Sequence, residues 1–196
     1  MTPQAESVVE LFRSRGAYLE GHFRLTSGLH SAGYLQCALV LQYPDAAEKL
    51  GRALAAELKQ ASAAPIRLVA SPALGGLIIG HEVARALGTR FIFTERDSTG
   101  KMTLRRGFQV TPGETAAVVE DVITTGGSTQ EVVEVLRAAG AHVMAAGSII
   151  DRSGGRAAVG APRVALATLQ VDSHQPETCP LCAHGVPVVK PGSRPA

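Results

Sequence analysis

The sequence predicts an α/β protein with a mostly parallel central sheet flanked by helices, and three observations predict it. Over residues 66–169, short apolar runs rich in Val, Ile and Ala alternate with segments whose apolar residues recur at three- and four-residue steps. Several of the short runs end on polar or charged residues, which is where open α/β sheets bind ligands. The chain has no Trp, five Phe and three Tyr, yet 45% of it is hydrophobic, so its core must be close-packed layers of Val, Leu, Ile and Ala.

Residues 5–15 put Val8, Val9, Leu11 and Phe12 on one helical face, with Gly16 as the C-cap. Residues 18–25 and 34–41 read as two paired strands around the polar, Gly-containing loop TSGLHSAG. Pro44 opens a helix over 45–61, whose buried stripe is Ala47, Leu50, Leu54 and Leu58. The alternation then gives a strand at 66–70, a helix at 75–87, strands at 90–94 and 115–119, a helix at 127–139, and strands at 143–150 and 163–169. Two stretches break it. The polar, basic stretch 95–113 is expected to be a mobile loop over a site, and 170–196, rich in Pro, Gly, Cys and His, a tail at the surface.

At 196 residues the chain fits one domain with a sizeable core. Membrane spans are excluded because Arg67, Glu82, Glu120, Asp121 and Asp151 interrupt the longest apolar stretches. The first 16 residues carry Glu6, Glu10, Arg13 and Arg15 and lack the pattern of a secretory signal. Three cysteines, Cys37, Cys179 and Cys182, are a poor disulfide framework, so a cytoplasmic location is expected. A net charge of +2, from 19 basic and 17 acidic residues, argues against a nucleic-acid surface.

The segment that carries chemistry is AAVVEDVITTGGST, residues 116–129. A strand of small apolar residues ends on adjacent carboxylates, and a Gly- and hydroxyl-rich turn then opens a helix. Free backbone N–H groups at that helix start, with hydroxyls of Thr124, Thr125, Ser128 and Thr129, suit a phosphate monoester. Glu120 and Asp121 upstream suit the vicinal hydroxyls of an attached sugar. Either half alone is as well explained by a polar strand end or an ordinary N-cap. Together they point to a sugar-phosphate site, and neither a dinucleotide turn nor a P-loop competes.

VVEDVITTGGST resembles the phosphoribosyl diphosphate (PRPP) motif of the type I phosphoribosyltransferases. The resemblance narrows to the orotate phosphoribosyltransferases through SPALGGLIIGHEVARALG, FRLTSGLHSAGYLQ and IIDRSGG. It implies the type I fold with a small N-terminal hood and a mobile loop. The substrate-covering segment would be 1–43, the PRPP-binding core 44–170 and the tail 171–196. It also implies Mg²⁺ carried by PRPP rather than by protein side chains alone, PRPP and orotate as ligands, and a homodimer whose loop 95–107 reaches the neighbouring site.

By the same resemblance, Glu120, Asp121, Val122, Ile123, Thr124, Thr125, Gly126, Gly127 and Ser128 would hold the ribose 5-phosphate. Ser71, Pro72, Ala73, Leu74, Gly75 and Gly76 would turn over the pyrophosphate. Arg96, Lys101 and Asp121 would be catalytic, with Lys101 the mobile cation. Thr124, Tyr34, Leu35 and Arg152 would contact orotate, the Arg152 fork matching its carboxylate. The sequence departs from the family pattern at Leu74 and Gly75, where an aromatic residue and a lysine are usual. It departs again at Asp97 (a lysine), Leu35 (an aromatic) and Thr26 (a lysine), and the loop histidine is absent.

Arg152 alone reads equally well as a surface partner of Asp151. Cys179-Pro-Leu-Cys182 with His174 and His184 nearby is half of a zinc pattern with the wrong histidine spacing, and reads as a turn with two free thiols. Two other functions remain in view: transfer to a purine or other base, and a non-catalytic regulator that binds PRPP or a nucleotide.

Overall fold

The computed structural model describes residues 3–25, 28–169 and 172–190. Thr26, one of the departures above, lies outside them. The chain opens with helix α1 (Pro3–Ser14), the antiparallel strands β1 (Tyr18–Arg24) and β2 (His30–Leu35), and helices α2 (Ala38–Leu41) and α3 (Pro44–Ala61). There follow β3 (Leu68–Pro72), α4 (Gly76–Leu87), β4 (Arg90–Arg96), β5 (Met102–Leu104), β6 (Thr115–Ile123), α5 (Gly127–Ala138), β7 (His142–Asp151) and β8 (Arg163–Thr168). The C-terminal segment contains β9 (Ser173–His174), a 3₁₀ turn (Pro176–Thr178) and α6 (Pro180–Ala183).

The central sheet has six strands in the order β5-β4-β3-β6-β7-β8, parallel throughout except for the β4–β5 pair. Both faces are covered, and the strands show it residue by residue. Val69, Ala117 and Val119 belong to one apolar cluster with α1, α3 and α4. Their neighbours Leu68, Ala70, Ala116 and Val118 belong to another, packed under Val132, Val133 and Leu136 of α5. A period of two with both phases apolar is the signature of a strand buried on both sides. No helix among the described residues is long and apolar enough to cross a membrane.

One expectation is corrected and two are refined. The second N-terminal strand ends at Leu35, and residues 38–41 turn into α2, because Val40 and Leu41 reach the core from a helical turn rather than from alternate strand positions. The stretch expected as a mobile loop begins as a hairpin, β5 pairing back on Thr94–Arg96. Asp97 Oδ1 accepts from the Thr99 N–H (2.8 Å), the Thr99 hydroxyl (2.7 Å) and the Lys101 N–H (3.1 Å), a side-chain cap that turns the chain into β5. Of the two readings open for the tail, packed or frayed at the surface, the described residues 172–190 take the packed one: β9 pairs with β2, making a three-stranded hood sheet of order β1-β2-β9, and the Val189 N–H donates to the His22 carbonyl.

Helices α3 and α4 cross at Gly51. A Cβ there would stand 2.5 Å from Glu82 Cβ and 2.9 Å from its backbone carbonyl carbon. Helix propensity alone favours Ala over Gly by about 1 kcal/mol, but backbone cannot yield as a side chain can. Gly51→Ala is therefore expected to destabilise by about 1–3 kcal/mol, a fall of several degrees in Tm. An unchanged or raised Tm would mean that the helices slide apart without cost.

Candidate active site

The carboxyl ends of β6 and β7, the start of α5 and the hood enclose a cleft made of two adjoining cavities, of about 500 and 450 Å³. Leu25, Thr124, Thr125 and Arg152 line both. The first holds Glu120, Asp121, Gly127, Ser128, Arg96, Tyr34 and Leu35; the second extends to Arg156, Asp172 and Ser173.

β6 runs further than its apolar residues predict, carrying Glu120 and Asp121 within the strand. Burial pushes the Glu120 carboxyl up to about 7; the hydrogen bond from the Thr129 hydroxyl and the charge of Arg96 oppose that rise, and the neighbouring Asp121 adds to it. Burial also raises Asp121, against the pull of the Val122 N–H, which donates to its Oδ1 at 2.9 Å. Two desolvated carboxylates with so few donors are built to receive hydroxyls or a cation. Thr129, expected among the phosphate-facing hydroxyls, is instead fully buried and spent on Glu120.

The chain then turns at Thr124–Gly126. Gly126 is in the left-handed region (φ 86°), and a Cβ on it would stand 2.9 Å from Val159 Cγ1. As the N-cap of α5 it brings no side chain to the first turn, so the helix start, with Gly127 and Ser128 on the cleft wall, is open to an anion.

Arg152 follows β7, and its backbone N–H donates to the Ile123 carbonyl. Its expected plain partner, Asp151, is taken: that carboxylate is buried, accepts from Ser153 N–H (2.7 Å) and hydroxyl (2.6 Å), and is ion-paired with Arg163. The Arg152 guanidinium has only long contacts, to Ser31 Oγ (3.3 Å) and the Gly33 carbonyl (3.4 Å), and its buried Nε has no hydrogen-bond partner among the described residues. Burial lowers its pKa, and Tyr34 and Tyr18 oppose that fall.

The structure thus brings together Glu120, Asp121, Thr124–Ser128, Arg96, Tyr34, Leu35 and Arg152. The 71–76 turn adjoins them through Gly75, where a Cβ would come within 2.7 Å of Asp121 Oδ1. Leu74 there is 82% exposed, and the Ala73 N–H donates to the Thr94 carbonyl (2.9 Å). Lys101 stands apart, on the hairpin turn beside α5, lining no part of this cleft. Arg96 pairs with Glu131 (2.8 Å) and donates to the Gly100 carbonyl (2.7 Å). Sequence reasoning missed Glu131, Arg156 and Asp172. Glu131 lies one helical turn beyond Gly127 and was recoverable from that spacing, whereas nothing in the sequence placed the tail beside Arg152.

Residues 40–180 match the family described as the phosphoribosyl transferase domain. An orotate phosphoribosyltransferase of Pelotomaculum thermopropionicum is 54% identical over 189 residues, covering 96% of this chain and 97% of its own. One from Heliobacterium modesticaldum is 53% identical, covering 96% and 98%. The crystal structure of orotate phosphoribosyltransferase from Aeropyrum pernix superposes with a TM-score of 0.64 at 27% identity, over 83% of this chain and 94% of that one. These relatives run through the hood as well as the matched domain, and the chain belongs to the phosphoribosyl transferase domain family, in its orotate phosphoribosyltransferase group.

Proposed function

We propose that this chain joins N1 of orotate to C1 of the ribose of PRPP, giving orotidine 5′-monophosphate and pyrophosphate, in the cytoplasm. The observation that carries the reading is Arg152: a half-buried guanidinium whose buried Nε–H has no partner among the described residues, sharing Thr124 and Thr125 with an open helix start. A carboxylate site thereby lies beside a phosphate site across a sugar's length of cleft. A purine has no carboxylate to offer that fork.

In the reaction the C1–O bond to pyrophosphate breaks, the N1–C1 bond forms, and the N1 proton leaves to solvent. The α5 start anchors the 5-phosphate, and Glu120 and Asp121 take the ribose hydroxyls, holding C1 before the ring nitrogen. Tyr34 and Leu35 cover the orotate ring while Arg152 fixes its carboxylate. The ribose becomes cationic as pyrophosphate departs, so the two carboxylates beneath it stabilise the transition state more than the ground state. Asp121, a hard oxygen donor on the cleft wall, would help hold a Mg²⁺ carried mainly by the diphosphate, and that ion would neutralise the leaving group. Arg96 would leave Glu131 to join that charge.

Lys101 lies outside its own cleft, lining a separate cavity beside α5, which supports a role in the site of a second copy. Lys101→Ala is expected to cut turnover about a hundredfold with little change in PRPP binding. Mixed with inactive Asp121→Asn chains, it is expected to regain about a quarter of wild-type activity, since half the dimers are mixed and each carries one intact site. Additive, unrecovered activity would confine the loop to its own subunit.

Arg152→Gln is expected to raise the KM for orotate about 30-fold, the loss of roughly 2 kcal/mol for a buried charged pair, and to leave that for PRPP nearly unchanged. Equal effects on both would remove the carboxylate role.

Glu120 gives a pH signature. Its raised pKa means the ligand-free native state holds a proton more tightly than the unfolded chain, so this group's contribution to stability falls as pH climbs from 4.5 through about 7. Sugar hydroxyls favour the ionised form. The affinity for ribose 5-phosphate relative to Glu120→Gln is expected to rise up to about tenfold per pH unit until roughly pH 7 and then level off. A ratio independent of pH would leave Glu120 as a structural partner of Thr129.

A further inference from the structure

Outside the cleft, the hood holds a cluster that the proposed reaction does not use. Four side chains converge beneath it: His22 of β1, His30 at the start of β2, and Cys179 and Cys182 flanking the start of α6. One ligand atom from each lies within 4.8 Å of every other. His22, His30 and Cys179 are buried, and Cys182 opens to solvent, which leaves a path for an ion. The histidines that flank the CxxC pair in sequence take no part: His174 pairs through its backbone with His30 in the hood sheet, and His184 Nδ1 bonds the Pro180 carbonyl. The fold supplies instead two histidines some 150 residues upstream, a separation of |i−j| = 152 from Cys182 to His30.

The three nitrogen–sulfur distances are close to the edges of a coordination tetrahedron, and the nitrogen–nitrogen distance is a few tenths of an ångström shorter. Zinc bonds of about 2.0–2.1 Å to nitrogen and 2.3 Å to sulfur require edges of about 3.3 Å between nitrogens and 3.5 Å between nitrogen and sulfur. Here His22 Nε2 to His30 Nδ1 is 2.9 Å, Cys179 Sγ to His22 Nε2 3.5 Å, Cys182 Sγ to His22 Nε2 3.7 Å and Cys182 Sγ to His30 Nδ1 3.3 Å.

The proton inventory makes the same point. His22 Nδ1 lies 2.7 Å from the Val186 carbonyl, which can only accept, so Nδ1 carries the hydrogen and Nε2 of the neutral ring keeps a lone pair. Three neighbours crowd that single lone pair, more than one acceptor site can serve. A cation at the centre satisfies all four atoms together. An imidazole oriented by a backbone carbonyl through its other nitrogen is also how metal-bound histidines are ordinarily held.

We propose that His22 Nε2, His30 Nδ1, Cys179 Sγ and Cys182 Sγ bind one zinc ion in a closed, structural Cys₂His₂ site. Two thiolates and two imidazoles select a borderline-soft ion with tetrahedral preference over Mg²⁺. The thiol protons leave to solvent on binding. The ion staples the C-terminal segment to the β1–β2 hairpin. His30 adjoins Ser31, whose hydroxyl contacts both the Asp172 carbonyl (3.2 Å) and Arg152 (3.3 Å), so the staple also steadies one wall of the cleft.

The test is metal analysis of the full chain, purified without a histidine tag and without added zinc. About one zinc per chain is expected, falling at least about tenfold in Cys182→Ser and in His22→Ala but not in His184→Ala. If those variants do not fold, Co²⁺ titration of the chelator-stripped wild-type chain decides. It is expected to give the intense visible bands of tetrahedral cobalt with thiolate charge transfer, displaced by one equivalent of zinc. Three results would each overturn the proposal: metal-free protein that leaves the cobalt spectrum unchanged, a mass two hydrogens lighter from a Cys179–Cys182 disulfide in freshly purified protein, or equal zinc loss in His184→Ala.

Discussion

The structure turns on two adjacent carboxylates held out of water at the end of a central strand. Parallel strands buried on both faces leave their carboxyl ends as the place where polar groups can emerge, and β6 puts Glu120 and Asp121 there. Their desolvation is only partly offset by the Thr129 hydroxyl, the charge of Arg96 and the backbone N–H groups of Asp121 and Val122. The Thr129 that serves Glu120 sits in the first turn of α5, so the carboxylates and the helix start are fixed to each other. A ligand carrying both hydroxyls and a phosphate answers both needs at once.

The hood gives that sugar-phosphate floor a second half. β2 brings Tyr34 and Leu35 over the cleft and, through Ser31 and Gly33, supplies contacts that orient the Arg152 guanidinium. Because Asp151 is neutralised by Arg163 and bonded by Ser153, it cannot silence Arg152. The cation therefore stays available, and its lowered pKa records the burial that makes a bound carboxylate worth more than it would be in water. In the proposed reaction, base selection would thus rest on a neighbouring ion pair as much as on Arg152 itself.

The core of the fold was legible because its signals are local. Alternating apolar runs and helical stripes located every strand from β3 to β8 except the short β5, and VVEDVITTGGST located the floor of the site. What was not legible depended on contacts distant in sequence. Residues 38–41 are apolar in either conformation, and only their packing against the core makes them α2. Thr129 looks like its hydroxyl neighbours until the strand places Glu120 beneath it. The two histidines that meet Cys179 and Cys182 arrive through the pairing of β1 with β2 and the folding back of the C-terminal segment, which no spacing rule encodes.

The hairpin between β4 and β5 shows how the departures from the family pattern fit together. Asp97, where a lysine is usual, caps the turn, and Glu95 holds Arg106 through two bonds of 2.7 and 2.8 Å. Arg96 meanwhile rests on Glu131, with both side chains over 40% exposed. An exposed ion pair of this kind contributes about 0–1 kcal/mol, less than a diphosphate of several negative charges can offer the same guanidinium. The acidic partners keep the cations ordered while no anion is bound, and they are weak enough to release Arg96 when one arrives. A net charge near zero is therefore compatible with a cationic loop: compensating acids lie beside the loop, while Glu120 and Asp121 lie in the cleft.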